Sequence, residues 1–413
     1  MNILWLSHIV PYPPKGGVLQ RSYHLLKELS RYNNVTLFAF NQENYLNSFF
    51  SSADEAIYES KTHLSDFCDD VQFFKILSEQ GVYAKQRLAL KSLFSRDCYT
   101  INWLKSSAYA DAITNYLEKN HVDAVHFDTV SLAPYRHLIG NIPCVLDHHN
   151  IESQLLLRRA EIESNLLAKV YYKYEGHRIR GYEEKMCKRF DLNITCSELD
   201  SERLRDIEPT LKVTEVPNCV DTEYFVPDYE KQTDDTIVFF GTLDWYPNTL
   251  AVEFLALKIW PIVVEKMPSV KAIIIGSNAP QSIIDLARKD KNFTYYGFVD
   301  DLRDDINAAS VFVCPIKDGG GTKLKMLDAM SMGKAVLADT IACEGIDVNY
   351  DKEVVYASTP EEYANEIIRL LSNRAKRISL GQEARTMVEN QYSAKAIGEQ
   401  LNQLFLQVVD SKK

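Results

Sequence analysis

Residues 311–338 read Val-Phe-Val-Cys-Pro-Ile-Lys-Asp-Gly-Gly-Gly-Thr-Lys-Leu-Lys-Met-Leu-Asp-Ala-Met-Ser-Met-Gly-Lys-Ala-Val-Leu-Ala. The apolar run Val311–Cys314 is the pattern of a strand buried on both faces. Gly319, Gly320 and Gly321 then break the chain, and apolar residues return at helical spacing over about 323–332. A second apolar run, Ala335–Ala338, follows. Strand, glycine turn, helix and strand predict two parallel strands joined by a crossover helix.

The same alternation continues on both sides. Thr236–Phe240, Lys271–Ile275, Phe293–Tyr296 and Glu353–Tyr356 read as strands, separated by helical stretches at about 248–266, 280–289 and 360–388. Upstream, Asn2–Ser7, Val35–Phe40, Val122–Phe127, Pro143–Leu146, Asp191–Cys196 and Leu211–Val216 form another series. Helices are expected over Val18–Arg31 and, as one long charged element, over Leu155–Arg189, while residues 41–120 carry no clear period. Pro217 to Asp235 collects turn residues and charges and suits a linker. The expected fold is α/β, two doubly wound Rossmann-like domains facing across a cleft. Their bounds are 1–216 and 217–393, with a helix at about 394–413 packing back on the first. A chain of 413 residues is long enough for two cores.

Charge and cysteine usage narrow the function classes. A general nucleic-acid binder carries a basic surface, whereas the net charge here is -11, so no nucleic-acid partner is expected. Residues 1–215 hold 25 Lys and Arg against 28 Asp and Glu, so this half is nearly neutral and tolerates an anionic surface. None of the eight cysteines forms a C-x-x-C pair, which argues against a zinc site and for a reducing compartment. The opening Met1-Asn-Ile-Leu-Trp-Leu-Ser has no basic start and no small-residue cleavage site, and reads as a strand. No apolar run reaches the ~18–20 residues of a membrane span. A cytoplasmic location is expected, with peripheral contact at the inner face of the membrane. Residues 85–105 mix Lys85, Arg87, Lys91, Arg96 and Lys105 with Leu88, Leu90, Leu93, Phe94 and Trp103; they read as a membrane-surface patch or as an ordinary amphipathic surface helix.

Ligands of doubly wound sheets lie beyond the carboxyl ends of the strands. Glycines there, opening a helix, let backbone N–H groups approach a phosphate. Gly319–Gly321 fit that pattern, a plain tight turn being the alternative, and no Walker P-loop is present. Lys325 and Asp328 are three apart on the following helix and share a face. Gly16 and Gly17 occupy the matching position after the first strand, and Gly297 the position after Phe293–Tyr296. His149 follows a strand end and is expected to hydrogen-bond in the cleft, with His148 as its spare. Asp300, Asp301, Asp304 and Asp305 read as helix capping rather than a metal site. No Ser/His/Asp order or G-x-S-x-G elbow suggests a hydrolase.

In order and spacing these pieces resemble the family 4 retaining glycosyltransferases of GT-B fold, in a branch with a triple-glycine run. The resemblance rests on Pro11-Tyr-Pro-Pro-Lys-Gly-Gly, His149-Asn-Ile-Glu, Ser197, Val216-Pro-Asn-Cys-Val-Asp, Gly241-Thr-Leu-Asp-Trp-Tyr-Pro-Asn, Gly297-Phe-Val-Asp-Asp-Leu and the glycine run ending Lys-Met-Leu-Asp-Ala-Met. It implies an acceptor in the first domain and a nucleotide-sugar in the second. It further implies transfer of the sugar to a hydroxyl of a saccharide or lipid-linked acceptor with retention, in cell-surface polysaccharide or glycolipid synthesis. A sugar-nucleotide epimerase and a non-catalytic nucleotide-sugar binder are the alternatives. The family's two spaced glutamates fall on Gly320 and Asp328, and its Arg and Lys after the first strand of the second domain are missing from Gly241–Asn248. Residues and resemblance together give the expected site. His149 and Lys325 take the catalytic roles. Gly16, Gly17, Gly241, Gly297, Phe298, Val299, Gly319, Gly320, Gly321, Thr322, Lys323 and Asp328 surround the donor. No cofactor and no metal are expected.

Overall fold

Seven strands of the first half pair in parallel: β1 (Asn2–Ser7), β2 (Asn34–Asn41), β3 (Asp70–Lys75), β4 (Ala124–Phe127), β5 (Cys144–His148), β6 (Leu192–Thr195) and β7 (Val213–Glu215), in the order β3-β2-β1-β4-β5-β6-β7. Six more form a second parallel sheet: β8 (Thr236–Phe240), β9 (Lys271–Ile275), β10 (Phe293–Tyr296), β11 (Val311–Cys314), β12 (Ala335–Ala338) and β13 (Val354–Tyr356), in the order β10-β9-β8-β11-β12-β13. This computed structural model describes residues 1–319 and 321–412. The α/β architecture of two parallel, helix-covered sheets is the one expected. Strands β11 and β12 pair as predicted, with Val311 opposite Ala335 and Cys314 opposite Ala338.

The chain divides into two compact units, Met1–Pro217 with Ile397–Lys413, and Asn218–Ala396. In each, strand order reverses beside the first strand, between β1 and β4 in one sheet and β8 and β11 in the other. That reversal opens a crevice at the carboxyl ends of the strands, where such sheets bind ligands. Central strands are buried along their length, as continuous apolar runs require. All eight cysteines are free and buried.

The helical stretch expected over 360–388 is two helices, Pro360–Leu371 and Arg374–Gln391, with Asn373 capping the second. Three further elements differ from the sequence reading. Strand β3 fills an edge that the uneven pattern of residues 41–120 concealed; it begins at Asp70, directly after Asp69, and an acidic start is not the apolar run of a buried strand. The expected helix over Leu155–Arg189 is two helices, Glu152–Ile162 and Leu166–Met186, folded into a hairpin. Asn165 makes the break, its side chain accepting from the N–H groups of Leu167 and Ala168 as an N-cap. One helical stretch, Tyr246–Lys266, is 21 residues long and apolar enough to cross a membrane by length and composition, with 50% of its apolar window buried. It runs through a π-turn at Leu255–Ile259 just before Pro261, which has no N–H for the carbonyl one turn back. It packs as a core helix of the second unit, with Leu255, Ile259 and Val263 buried.

Candidate functional site

In the second unit, four neighbouring strands end in glycine-bearing loops. Gly241 follows β8, Gly276 follows β9, Gly297 follows β10, and the turn with Gly319 and Gly321 follows β11. The loops lie against one another because these residues lack side chains. The Gly276 N–H donates to the Gly297 carbonyl at 3.1 Å, and the Gly241 N–H to the Ile275 carbonyl at 3.0 Å. A Cβ on Gly276 would stand 1.8 Å from the Gly241 carbonyl oxygen. A Cβ on Gly319 would stand 2.8 Å from the Pro247 ring, so the β11 turn rests on the helix that follows β8. Gly320 lies outside the described residues.

The helix after this turn is Leu324–Ser331, with Lys323 as its N-cap. Lys323 is committed locally, its Nζ donating to the Gly319 carbonyl at 2.7 Å and lying 3.3 Å from Glu344. Lys325 points back under β8. Its Nζ donates to Asn248 Oδ1 at 2.6 Å and lies 4.9 Å from the centre of the Phe239 ring. A Cβ on Gly241 would meet that Nζ at 2.3 Å, so glycine at 241 makes room for the ammonium. Asn248 is fixed by donating to the Thr242 carbonyl at 2.8 Å. Burial pulls the Lys325 pKa down to about 8, against weaker support from Cys314 and Asp328. Burial pushes Asp328 up to about 7, with Lys325 opposing. The Asp328 carboxylate accepts no hydrogen bond among the described residues. Thr322 Oγ1 is buried and likewise without a partner there. A buried ammonium on a neutral amide and an open carboxylate thus lie close together on this helix, and an orphaned hydroxyl stands just before its N-cap, groups that suit an anionic, hydroxyl-bearing ligand.

Phe298 stands exposed rather than in the core, and Val299 packs against the core beside it. Asp301 accepts from the Arg303 N–H at 3.0 Å and pairs with its guanidinium, while Asp304 pairs with Lys231 at 2.8 Å.

In the first unit the strand ends carry a charged cluster. Gly16, with φ of 96°, caps the Gly17–Ser30 helix after β1. Asp128 follows β4 and His149 follows β5, and the two side chains meet at 2.9 Å, His149 Nε2 to Asp128 Oδ1. Asp128 Oδ2 accepts from Ser7 and Ser22 hydroxyls, each at 2.8 Å, and lies 3.2 Å from His8 Nδ1. Arg21 binds Asp147 with two hydrogen bonds, at 3.0 and 2.8 Å, and donates to the Val216 carbonyl at 2.8 Å. Burial opposes charge on both Asp128 and His149. Their mutual attraction wins, holding Asp128 well below the carboxylate range and His149 above the usual histidine value. His148 faces the other way, 3.1 Å from Asn193 Oδ1, and burial lowers its pKa. His126, Asp128 and Asp147 bring possible ligand atoms within 4.8 Å of one another, but Arg21 already neutralises Asp147.

Sequence reasoning missed Asp128, Arg21, Asp147 and Asn248. Asp128 was findable, since it follows a strand end just as His149 does. Arg21 and Asp147 look like ordinary helix and strand residues until folding pairs them across 126 positions.

Comparison with known proteins matches residues 234–373 to the glycosyl transferases group 1 model. A relative described as an uncharacterized 44.6 kDa protein in the cps region of Klebsiella pneumoniae is 24% identical over 247 residues, 57% of this chain and 61% of that protein. The match thus spans less than two thirds of that relative. Among solved structures, sucrose-phosphate synthase from Thermosynechococcus elongatus superposes with a TM-score of 0.70 at 16% identity, covering 100% of both chains. The Anabaena Alr3699/HepE complex with UDP gives 0.63 at 16% identity, covering 98% of this chain and 100% of that one. TarM gives 0.68 at 14% identity over 98% of each. At these identities the likeness establishes the fold. Residues 234–373 match the glycosyl transferases group 1 model, and the whole chain has the fold of the GT-B structures it superposes on.

Proposed function

We propose that the protein is a retaining family 4 glycosyltransferase that moves a sugar from a nucleoside diphosphate donor to a hydroxyl acceptor. In this reading residues 217–393 hold the donor and 1–216, with the helix from about 394, hold the acceptor. The observation that carries it is the set of groups on and just before the Leu324–Ser331 helix: Thr322 Oγ1 without a partner among the described residues, Lys325 with only a neutral amide for its charge, and Asp328 open. Diphosphate is met by Lys325, the Thr322 hydroxyl and the Gly321 N–H; ribose hydroxyls donate to Asp328. The base lies along Gly297–Val299. As the sugar departs it gains oxocarbenium character, and fixed positive charge on the diphosphate favours that state. Retention follows from attack on the same face, with a diphosphate oxygen taking the acceptor proton. His149, held by Asp128, positions a sugar hydroxyl, and Gly16 and Gly17 give close backbone approach at the neighbouring strand end.

The Alr3699/HepE complex contains UDP, and a uridine donor is the first to test. The cps-region relative favours a setting in surface polysaccharide synthesis, in the cytoplasm. The test pairs a thermal-shift screen of nucleotides with NMR of the product formed from a donor of known anomeric configuration. The expected result is stabilisation by one nucleoside diphosphate and a product of the same configuration. An inverted product would overturn retention. Interconversion of donor sugars without transfer would make the protein an epimerase. Binding with neither, across a broad acceptor pool, would make it a non-catalytic binder.

A further inference from the structure

Two stretches of the first unit, far apart in sequence, meet at one arginine. Arg178, on the Leu166–Met186 helix, donates to the Ser92 carbonyl at 2.8 Å and the Ser95 carbonyl at 2.7 Å, just past the Ala84–Leu93 helix. Glu175, one turn earlier, accepts from the Tyr99 N–H at 2.6 Å. Large apolar side chains stand in water on both elements. Leu90 and Phe94 are 62% and 86% exposed, and Leu166, Leu167 and Val170, at the bend of the helical hairpin, are 72%, 82% and 60% exposed. The bend lies within about 18 Å of Arg178 along the helix. Scattered exposed apolar residues need no explanation, but groups of them mark an interaction surface.

Charge selects the partner. Residues 81–96 contain Lys85, Arg87, Lys91 and Arg96 and no acidic residue. Residues 164–174 contain Lys169 and Lys173 and no acidic residue. These runs stand out in a chain of net charge -11; Lys85 pairs with Glu79 at 3.2 Å, and the other cations alternate along the chain with the exposed apolar groups. Leucine and phenylalanine flanked by lysine and arginine match the boundary between acyl chains and anionic headgroups. We propose that these adjoining elements, the Ala84–Leu93 helix with its following turn and the bend of the hairpin, dock together on an anionic lipid bilayer. The apolar side chains enter the headgroup boundary and the basic ones meet lipid phosphates. This surface is separate from the donor site and does not depend on sugar transfer.

The test is co-sedimentation of the full chain, without donor, with vesicles of phosphatidylcholine alone or mixed with phosphatidylglycerol. Binding to the anionic vesicles only, weakened by salt, is the expected result. The combined variant Leu90→Ser, Phe94→Ser, Leu166→Ser and Leu167→Ser should bind at least about tenfold more weakly. Its Tm and its nucleotide-induced thermal shift should stay unchanged, because all four positions are exposed. Lys91→Ala or Lys169→Ala alone should cost about fivefold. A parent chain that ignores anionic vesicles at low salt, or binds neutral ones equally, sinks the proposal. So does a parent that is dimeric and indifferent to vesicles while the serine variant is monomeric, which would give the surface to a second copy of the chain. None of these outcomes touches the donor reading, which the thermal shift reports separately.

Discussion

Lys325 carries its charge in a place that disfavours it, beside an aromatic ring and with a neutral amide as partner. Its pKa of about 8 sits below the ordinary lysine value, so the charged form costs stability below pH 8, and the cost is relieved as pH rises toward the unfolded value. Lys325→Met should therefore raise the Tm of the ligand-free protein by roughly 2–4 °C, measured by calorimetry at neutral pH. The same variant should bind nucleoside diphosphate at least about tenfold more weakly, since a charged hydrogen bond contributes about 1.5–3 kcal/mol. A bound diphosphate favours the protonated amine, so nucleotide affinity should fall as pH rises through about 8 in the parent and stay flat in the methionine variant. Titration calorimetry across pH checks this; parallel profiles would remove Lys325 from the phosphate site. The His149–Asp128 pair has the opposite sign. A histidine pKa raised by folding contributes its full stability below about pH 6.5 and loses it as pH rises through the folded value. The Tm gap between parent and His149→Asn should narrow on the alkaline side; a constant gap would mean the pair is not charged. Position after a strand end made His149 readable from sequence. The burial that sets these pKa values was not readable, because it comes from chain segments packed across long separations.

At the scale of elements, the glycines after β8, β9 and β10 let neighbouring loops close on one another. Gly276→Ala would drive a methyl into the Gly241 carbonyl at a backbone φ of 150°, and should destabilise by about 1–3 kcal/mol while displacing the room used by Lys325. A methyl on Gly181, in the Leu166–Met186 helix, would meet nothing within 4 Å, so Gly181→Ala should instead stabilise by about 0.5–1 kcal/mol. Urea unfolding of both variants checks the contrast, and equal effects would refute the close-approach account. Most strands were legible because central parallel strands must be apolar throughout. Strand β3 was not: it is an edge strand with an acid at its first position, so polarity hid it. The hairpin was misread as one helix because helical spacing runs straight through its bend, and only the Asn165 cap marks the break.

At the scale of the molecule, two alternating series of strands and helices announced two parallel sheets, whereas the strand order, with its reversal beside β1 and β8, came only with the structure. Metal independence belongs to this scale too. If Lys325 and the helix N-terminus carry the diphosphate charge, transfer should proceed in excess chelator; complete loss restored by magnesium would overturn that and direct attention to Asp300 and Asp301. The described units also interleave along the chain, since Ile397–Lys413 groups with Met1–Pro217. The helix beginning at Ala394 lies so close to the Gly17–Ser30 helix that a methyl on Gly398 would stand 2.2 Å from the Glu28 Cβ. During synthesis, then, the part made first is completed last. At ~5–20 residues per second, residues 1–217 wait on the order of 10–40 s for the segment that covers them, while the other unit emerges whole in between. A released chain truncated after residue 396 should show a protease-resistant 218–396 core beside a first unit that is still digested, and the interval before the last helix emerges is when the newborn protein most needs a chaperone.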